Sequence, residues 1–196
     1  NSKKAMTVLD EETLTELDAA VTEVGKKQKD LKGLIFFSHL DRCFIAGADI
    51  NLIHSMSTQA EGTTGAESGQ KIFNNIEDLS CPTLAAVNGV CLGGGFELAL
   101  SCDKIIVSEG KQTQLGLPEV QLGLIPGFGG TYRLPKKVGI VKALDLILSG
   151  KKIDGKKAKR LGIAVDVYAK ERLLTMALKV LSKKEDSGSF KDSLEN

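Results

Sequence analysis

Apolar runs of four or five residues alternate along this chain with glycine turns and amphipathic stretches. Asp10, Glu11 and Glu12 precede Leu14, Leu17, Val21 and Val24 at helical spacing, which predicts a helix with acids at its positive end. Gly33 introduces Leu34-Ile35-Phe36-Phe37, a short buried strand, and "FIAGADI" (44–50) reads as the turn after it. Residues 55–69, rich in Ser, Thr, Gly and Glu, read as a mobile surface loop, and Ile72, Phe73, Ile76 and Leu79 close the helix that follows. Leu84-Ala85-Ala86-Val87 is a second strand; three glycines (93–95) lead into a helix near 95–101, and Lys104–Val107 is a third strand. Helices are predicted at about 139–148 and 154–161, stopped by Gly150 and Gly162, and a last amphipathic one covers about 169–184. Recurring strand, glycine turn and helix predict an α/β fold with buried parallel strands.

Two segments do not fit that rhythm. The stretch 115–130, "LGLPEVQLGLIPGFGG", is too apolar for a solvated loop and is expected to wrap a pocket. Residues 185–196 are charged and Ser-rich, as in a linker, which leaves 1–184 as the folded domain.

Composition narrows the function classes. At 196 residues with 42% hydrophobic residues, the chain can build a real core. A net charge of +1, no basic face and no Trp argue against a nucleic-acid partner. No apolar run approaches the roughly 20 residues of a membrane span. Cys43, Cys81, Cys91 and Cys102 sit in apolar surroundings with no C-x-x-C pair, as reduced thiols do in a cytoplasm or mitochondrial matrix. With only His39 and His54 to complete a site, no metal is expected.

Phosphate motifs fail on inspection. Gly150 to Lys156 fits G-x-x-x-x-G-K, but Lys157 stands where a P-loop needs Ser or Thr. Gly93-x-Gly95 and Gly127-x-Gly129 begin dinucleotide fingerprints whose third glycine is replaced by Leu98 and Tyr132. Neither G-x-S-x-G nor H-E-x-x-H occurs, so serine-hydrolase and zinc-protease chemistry lose support.

What remains is "CLGGGFELAL" (91–100), an acid planted in an apolar helix behind three glycines. Glycines there let backbone approach a ligand, and the first amides of a helix have no internal partner, so they can hold a developing negative charge. Glu97 lies one turn in, among Phe96, Leu98, Ala99 and Leu100, where desolvation raises a carboxyl pKa. Taken alone, this could be a packing turn with Glu97 paired to a cation. A second acid, Glu119, follows Pro118 in an equally apolar segment, and two such carboxyls suggest paired acid/base work. The small residues Ala46, Gly47 and Ala48 offer a second backbone donor.

"FIAGADI", "AVNGVCLGGGFELALSCD" and "GLPEVQLGLIPGFGGTYRLP" resemble, in order and spacing, the signature blocks of the crotonase superfamily of enoyl-CoA hydratases and isomerases. "FIAGADIN" and "FKDSLEN" look most similar to the N-terminal hydratase domain of multifunctional fatty-acid oxidation alpha subunits. The resemblance implies a spiral of strand–strand–helix units, with strands before Asn1 and helices after residue 184 in a complete member. It implies an oxyanion hole from the amides of Ala48 and Gly94, and Glu97 and Glu119 as the acids. In that reading Glu97 deprotonates water and Glu119 protonates C2, although shared or exchanged roles fit equally. Lys4, Ala5, Met6, Ala46, Gly47, Asp49, Ile50, Gly93, Pro118 and Gly127 are implied in binding the acyl-CoA substrate. Coenzyme A is then part of the substrate and no cofactor is needed. The implied partners are further copies in a trimer or hexamer, or a fatty-acid oxidation complex with a fused hydroxyacyl-CoA dehydrogenase. A 3-enoyl to 2-enoyl isomerase and a non-catalytic acyl-CoA-binding fragment are the alternatives.

Overall fold

The computed structural model describes residues 6–182. Helix α1 (Glu11–Lys27) is capped by Asp10, whose carboxylate accepts the Thr13 amide at 2.9 Å, and it ends on Lys26 and Lys27, as the dipole favours. After it come β1 (Leu34–Phe37), β2 (Cys43–Ile45), α2 (Ile50–Ser55) and α3 (Gln59–Glu77). The next turn of chain holds β3 (Thr83–Val87), β4 (Val90–Leu92) and α4 (Gly94–Leu100). Then follow β5 (Lys104–Ser108), β6 (Gln114–Gly116), a 3-10 turn over Pro118–Leu122, α5 (Gly130–Val138) and α6 (Ile140–Ser149). The last elements are β7 (Ile153–Asp154), α7 (Gly155–Leu161), β8 (Asp166–Tyr168) and α8 (Leu173–Ser182).

Successive strands are dealt to two sheets, in the orders β1-β3-β5-β8 and β2-β4-β6-β7. Each of the first three turns of chain lays one strand in each sheet and then a helix, and the last places α7 between β7 and β8, so the architecture is the expected strand–strand–helix spiral. All pairings are parallel except β6 with β7. Alternation along the central strands explains the core. Ala85, Val87, Ile105 and Val107 join Phe73, Phe96 and Leu115 in the main cluster. Leu84, Ala86 and Ile106 point to the other face of their sheet, where Leu173 and Ala177 of α8 cover them. Both faces of β3 are therefore buried, which is why its sequence is a continuous apolar run.

Three expectations need correction. Residues 59–69 are the first half of α3, not a mobile loop. Three glycines hid the helix, yet its start carries a capping box. The Glu61 amide donates to Thr58 Oγ1 (3.3 Å), and the Thr58 amide donates to Glu61 Oε2 (3.1 Å). Thr58→Ala is expected to cost about 1 kcal/mol of stability in urea unfolding; no change would remove the cap's role. Second, α5 lies where no helix was expected, because Gly129, Gly130 and Pro135 argue against one. Pro135 is tolerated because the carbonyl it fails to bond belongs to exposed Thr131, on the wet side of the helix. Third, the middle of 115–130 is not enclosed: residues 121–125 are exposed, with Ile125 77% accessible. The 3-10 turn closes on Glu119 and Val120 carbonyls and carries the next residues outward, so only the segment's two ends face inward. Gly150 and Gly162 do end α6 and α7 in the left-handed conformation. The four cysteines are buried and free. Lys4, Ala5 and the 185–196 tail lie outside the described residues.

Candidate active site

Strands β2, β4 and β6 lie side by side and parallel, so all three release the chain at the same sheet edge. The residues just past them are 46–50, 93–97 and 117–119. Three separated sequence blocks thereby meet outside the carboxyl ends of adjacent strands, the position where open parallel sheets present ligand sites. The Gly93 amide still bonds the Gly116 carbonyl at 2.9 Å, which holds the α4 turn against the β6 exit.

Glu97 is 1% exposed. Its Oε1 accepts two backbone amides, from Phe128 and Gly130, each at 2.8 Å. Its Oε2 accepts no hydrogen bond from the described residues, which leaves one oxygen for chemistry. Desolvation dominates its titration and pushes it to about 7, with the Glu119 charge adding to the rise; the two amides and Arg133 oppose it. Glu119, behind Pro118 at the start of the 3-10 turn, is also pushed upward by desolvation. Its Oε2 is buried with no hydrogen-bond partner among the described residues. Two carboxyls with a free oxygen each, both biased toward the neutral form, are the signature of paired proton transfer.

Two backbone amides, those of Ala48 and Gly94, leave these turns unpaired by the described residues. Leu9 donates to Gly47 O at 2.8 Å and accepts from Asp49 N at 3.2 Å. In such a parallel bridge Ala48 between them turns its own N–H to the opposite edge. Gly94 is the first residue of α4, so its N–H has no helical partner. Neither amide donates to another described residue. The two turns touch: a Cβ built on Gly93 would lie 3.7 Å from Gly47 Cα and 2.8 Å from Glu119 Oε1.

The remaining expected residues fall in two groups. Thr7 accepts the Ala46 amide at 2.8 Å, so the strand-like segment after Met6 runs beside 46–49. Met6 and Ile50 are about half exposed, and Asp49 caps α2 by accepting the Asn51 amide. Gly127 is fixed from α3, where Gln70 Nε2 donates to its carbonyl at 2.7 Å. Lys151 and Lys159, in the failed phosphate motif's neighbourhood, pair with Asp145 and Asp166.

Sequence reasoning missed Phe128, Gly130, Gly69 and Arg133. The Phe128 ring stands edge-on to Phe73 at 5.6 Å and packs on α3 where Gly69 leaves room; a Cβ on Gly69 would come within 2.3 Å of it. The apolar, glycine-rich string "GFGG" was the available signal for the first two. Arg133 gave none, since a lone charge reads as surface, yet it is 4% exposed.

The enoyl-CoA hydratase/isomerase family profile matches residues 1–190. The chain is 44% identical over 169 residues to the fatty acid oxidation complex subunit alpha of Vibrio cholerae, covering 86% of this chain and 24% of that one. It is 43% identical over 180 residues to the subunit of that name from Shewanella frigidimarina, covering 92% and 25%. The chain thus spans about a quarter of the length of these curated relatives. Among solved structures, the enoyl-CoA hydratase of Bacillus anthracis superposes with a TM-score of 0.82 at 32% identity, over 89% of this chain and 66% of that one. One from Geobacillus kaustophilus gives 0.85 at 29% identity, over 90% and 66%. The signature blocks, the two-sheet spiral and these matches agree: the chain belongs to the enoyl-CoA hydratase/isomerase family.

Proposed function

We propose that this chain adds water across the C2–C3 double bond of a 2-enoyl-CoA to give a 3-hydroxyacyl-CoA. The observation that carries the reading is the pair of buried carboxyls, each with an oxygen unbonded by the described residues, beside backbone amides that donate to none of those residues. An unbonded oxygen such as Glu119 Oε2 is costly to bury, which disfavours a merely structural or passive binding role.

The chemistry follows from that arrangement. The thioester carbonyl oxygen accepts the Ala48 and Gly94 amides, which polarises the conjugated double bond. Glu97 Oε2 takes a proton from water as its oxygen bonds C3. The π electrons move toward the thioester oxygen, where the two amides stabilise the developing enolate more than the ground state. Glu119 delivers a proton to C2 as the carbonyl re-forms. Glu97 then holds one proton more and Glu119 one fewer, and exchange between them or with solvent resets the site. A carboxyl titrating near 7 exchanges protons readily at neutral pH.

A second reading, transfer of a proton that moves a 3-enoyl double bond to C2, is favoured by one observation: Glu119 Oε2 is buried with no hydrogen-bond partner among the described residues, so one carboxyl suffices to shuttle the proton. Membership of a fatty-acid oxidation complex belongs to the same proposal. So does a reducing cytoplasmic or mitochondrial setting, which the four buried free thiols support.

The test is loss of the conjugated-thioester absorbance of crotonyl-CoA, run beside a 3-enoyl-CoA. Hydration is expected to be the faster reaction. Turnover of the 3-enoyl substrate alone would move the assignment to isomerase, and tight thioester binding without turnover would replace catalysis with binding.

A further inference from the structure

We propose that Arg133 is a positioning residue: through the Phe128 carbonyl it holds the loop whose amides fix the Glu97 carboxyl. The inference rests on the reading of Glu97 as a reacting group. Arg133 sits on α5 one turn past the loop, and its own amide bonds Gly129 O at 2.9 Å. Its guanidinium makes three directed contacts. Nη1 donates to Phe128 O at 2.9 Å, Nε to Glu77 Oε2 at 2.9 Å, and Nη2 to Asn74 Oδ1. Asn74 and Glu77 are one turn apart on α3, so the fork ties the loop to the longest helix of the fold.

Phe128 is thus gripped on both sides. Its carbonyl accepts from Arg133, and its amide donates to Glu97 Oε1. Gly130, two residues on, supplies the second amide to the same oxygen. The loop also drapes directly on the guanidinium: a Cβ on Gly129, whose φ is +106°, would lie 2.1 Å from Nη1. Only glycine permits that approach. A buried cation is expensive when its partner is half in water, as Glu77 is at 41% exposure. The three bonds use the planar fork of arginine, which a lysine ammonium cannot reproduce.

The charged side chains facing Glu97 are Glu119, from the 3-10 turn, and Arg133, from α5; Glu77 of α3 bonds that guanidinium. Arg133 therefore acts on Glu97 twice, by its charge and by the amides it aims, and both favour the carboxylate. Arg133→Lys keeps the charge and removes the fork, which separates the two effects.

The experiment follows the Glu97 carboxyl by ¹³C NMR in the purified protein labelled at glutamate, together with crotonyl-CoA kinetics per folded molecule. In Arg133→Lys the Glu97 titration is expected to move above its wild-type position, with kcat down roughly tenfold or more and KM changed far less. Asn74→Ala, which frees one arm and leaves both charges, is expected to shift both readouts the same way by less, and it carries the test if Arg133→Lys does not fold. Lower thermal stability with an unmoved Glu97 titration and unchanged kcat overturns the proposal and leaves Arg133 a structural tie. If the wild type hydrates nothing yet the titration moves, the hydratase reading fails and this one stands.

Discussion

Glu97→Gln is expected to lose roughly 100- to 10,000-fold in crotonyl-CoA hydration while becoming more stable above neutral pH. The first part follows from removing a group that takes the water proton, which general acid–base catalysis values at about that factor. Glu119→Gln is expected to lose a comparable factor, because the proton for C2 then has no source in the site. Thioester binding should persist in both, since neither acid is asked to hold the ground state. The second part follows from linkage. Folding raises the Glu97 pKa from 4.5 to about 7, so the folded state holds its proton more tightly than the unfolded chain. Its contribution to stability is fully present below about pH 4.5, falls as pH rises through that window, and has gone above 7. A shift of that size corresponds to about 3 kcal/mol at pH 8. Gln keeps an oxygen for the Phe128 and Gly130 amides and carries no charge to desolvate. Thermal unfolding at pH 8 should therefore show a gain of roughly 5–10 °C for a chain of this size, shrinking toward pH 5. Wild-type turnover in the variant would remove Glu97 from the mechanism, and equal stability of the two proteins at both pH values would remove the upward shift of its pKa. If isomerisation of a 3-enoyl-CoA survives Glu97→Gln while hydration does not, the two reactions divide between the two acids.

That trade of stability for reactivity explains which parts of the site were readable from sequence. An acid among Phe96, Leu98 and Ala99 violates the helix's own pattern, and so does Glu119 between Pro118 and Val120; each stands out because it breaks a local rule. Three strands of the first sheet were legible for the opposite reason: β3 and β5, buried almost throughout, and the half-buried β1 read as short apolar runs, whereas β8, Asp166–Tyr168, carries no such run and was missed. The strands of the second sheet were not. β2, β4 and β6 are three residues each, too short for any period to show, and they end in the site residues themselves. Helix α3 was concealed by Gly62, Gly65 and Gly69, and the last of these is explained only in three dimensions, by the Phe128 ring lying where its Cβ would be. Arg133 was invisible because its role depends on Asn74, Glu77 and Phe128, none of them its sequence neighbour. Side chains that act on the substrate leave a local mark; those that aim other groups are set by tertiary contacts.

Gly93→Ala is expected to abolish hydration although it removes none of the candidate side chains. Gly93 adopts φ 50°, ψ −128°, a conformation an L side chain rarely takes and one that costs of order 1–3 kcal/mol. The added methyl would also lie 2.8 Å from Glu119 Oε1. That oxygen ends a side chain with no hydrogen bond to hold it on its other oxygen, so the carboxyl swings away rather than the backbone moving. Relaxing the strain has a second consequence. Gly93 is the residue before Gly94, and its ψ sets the direction of the Gly94 amide; a turn of that peptide takes the donor away from the thioester oxygen. Losing one such donor typically costs 10²–10³ in kcat, and losing the placement of an acid costs a further factor. The same turn costs α4 the Phe96 and Glu97 amide bonds to the Gly93 carbonyl, but the helix is packed on both sheets, so the protein should still fold. Circular dichroism close to wild type with kcat below a thousandth of it is the expected pair of results. A folded Gly93→Ala protein that hydrates crotonyl-CoA at the wild-type rate would mean that the Gly94 amide and the Glu119 carboxyl are not where the reaction happens.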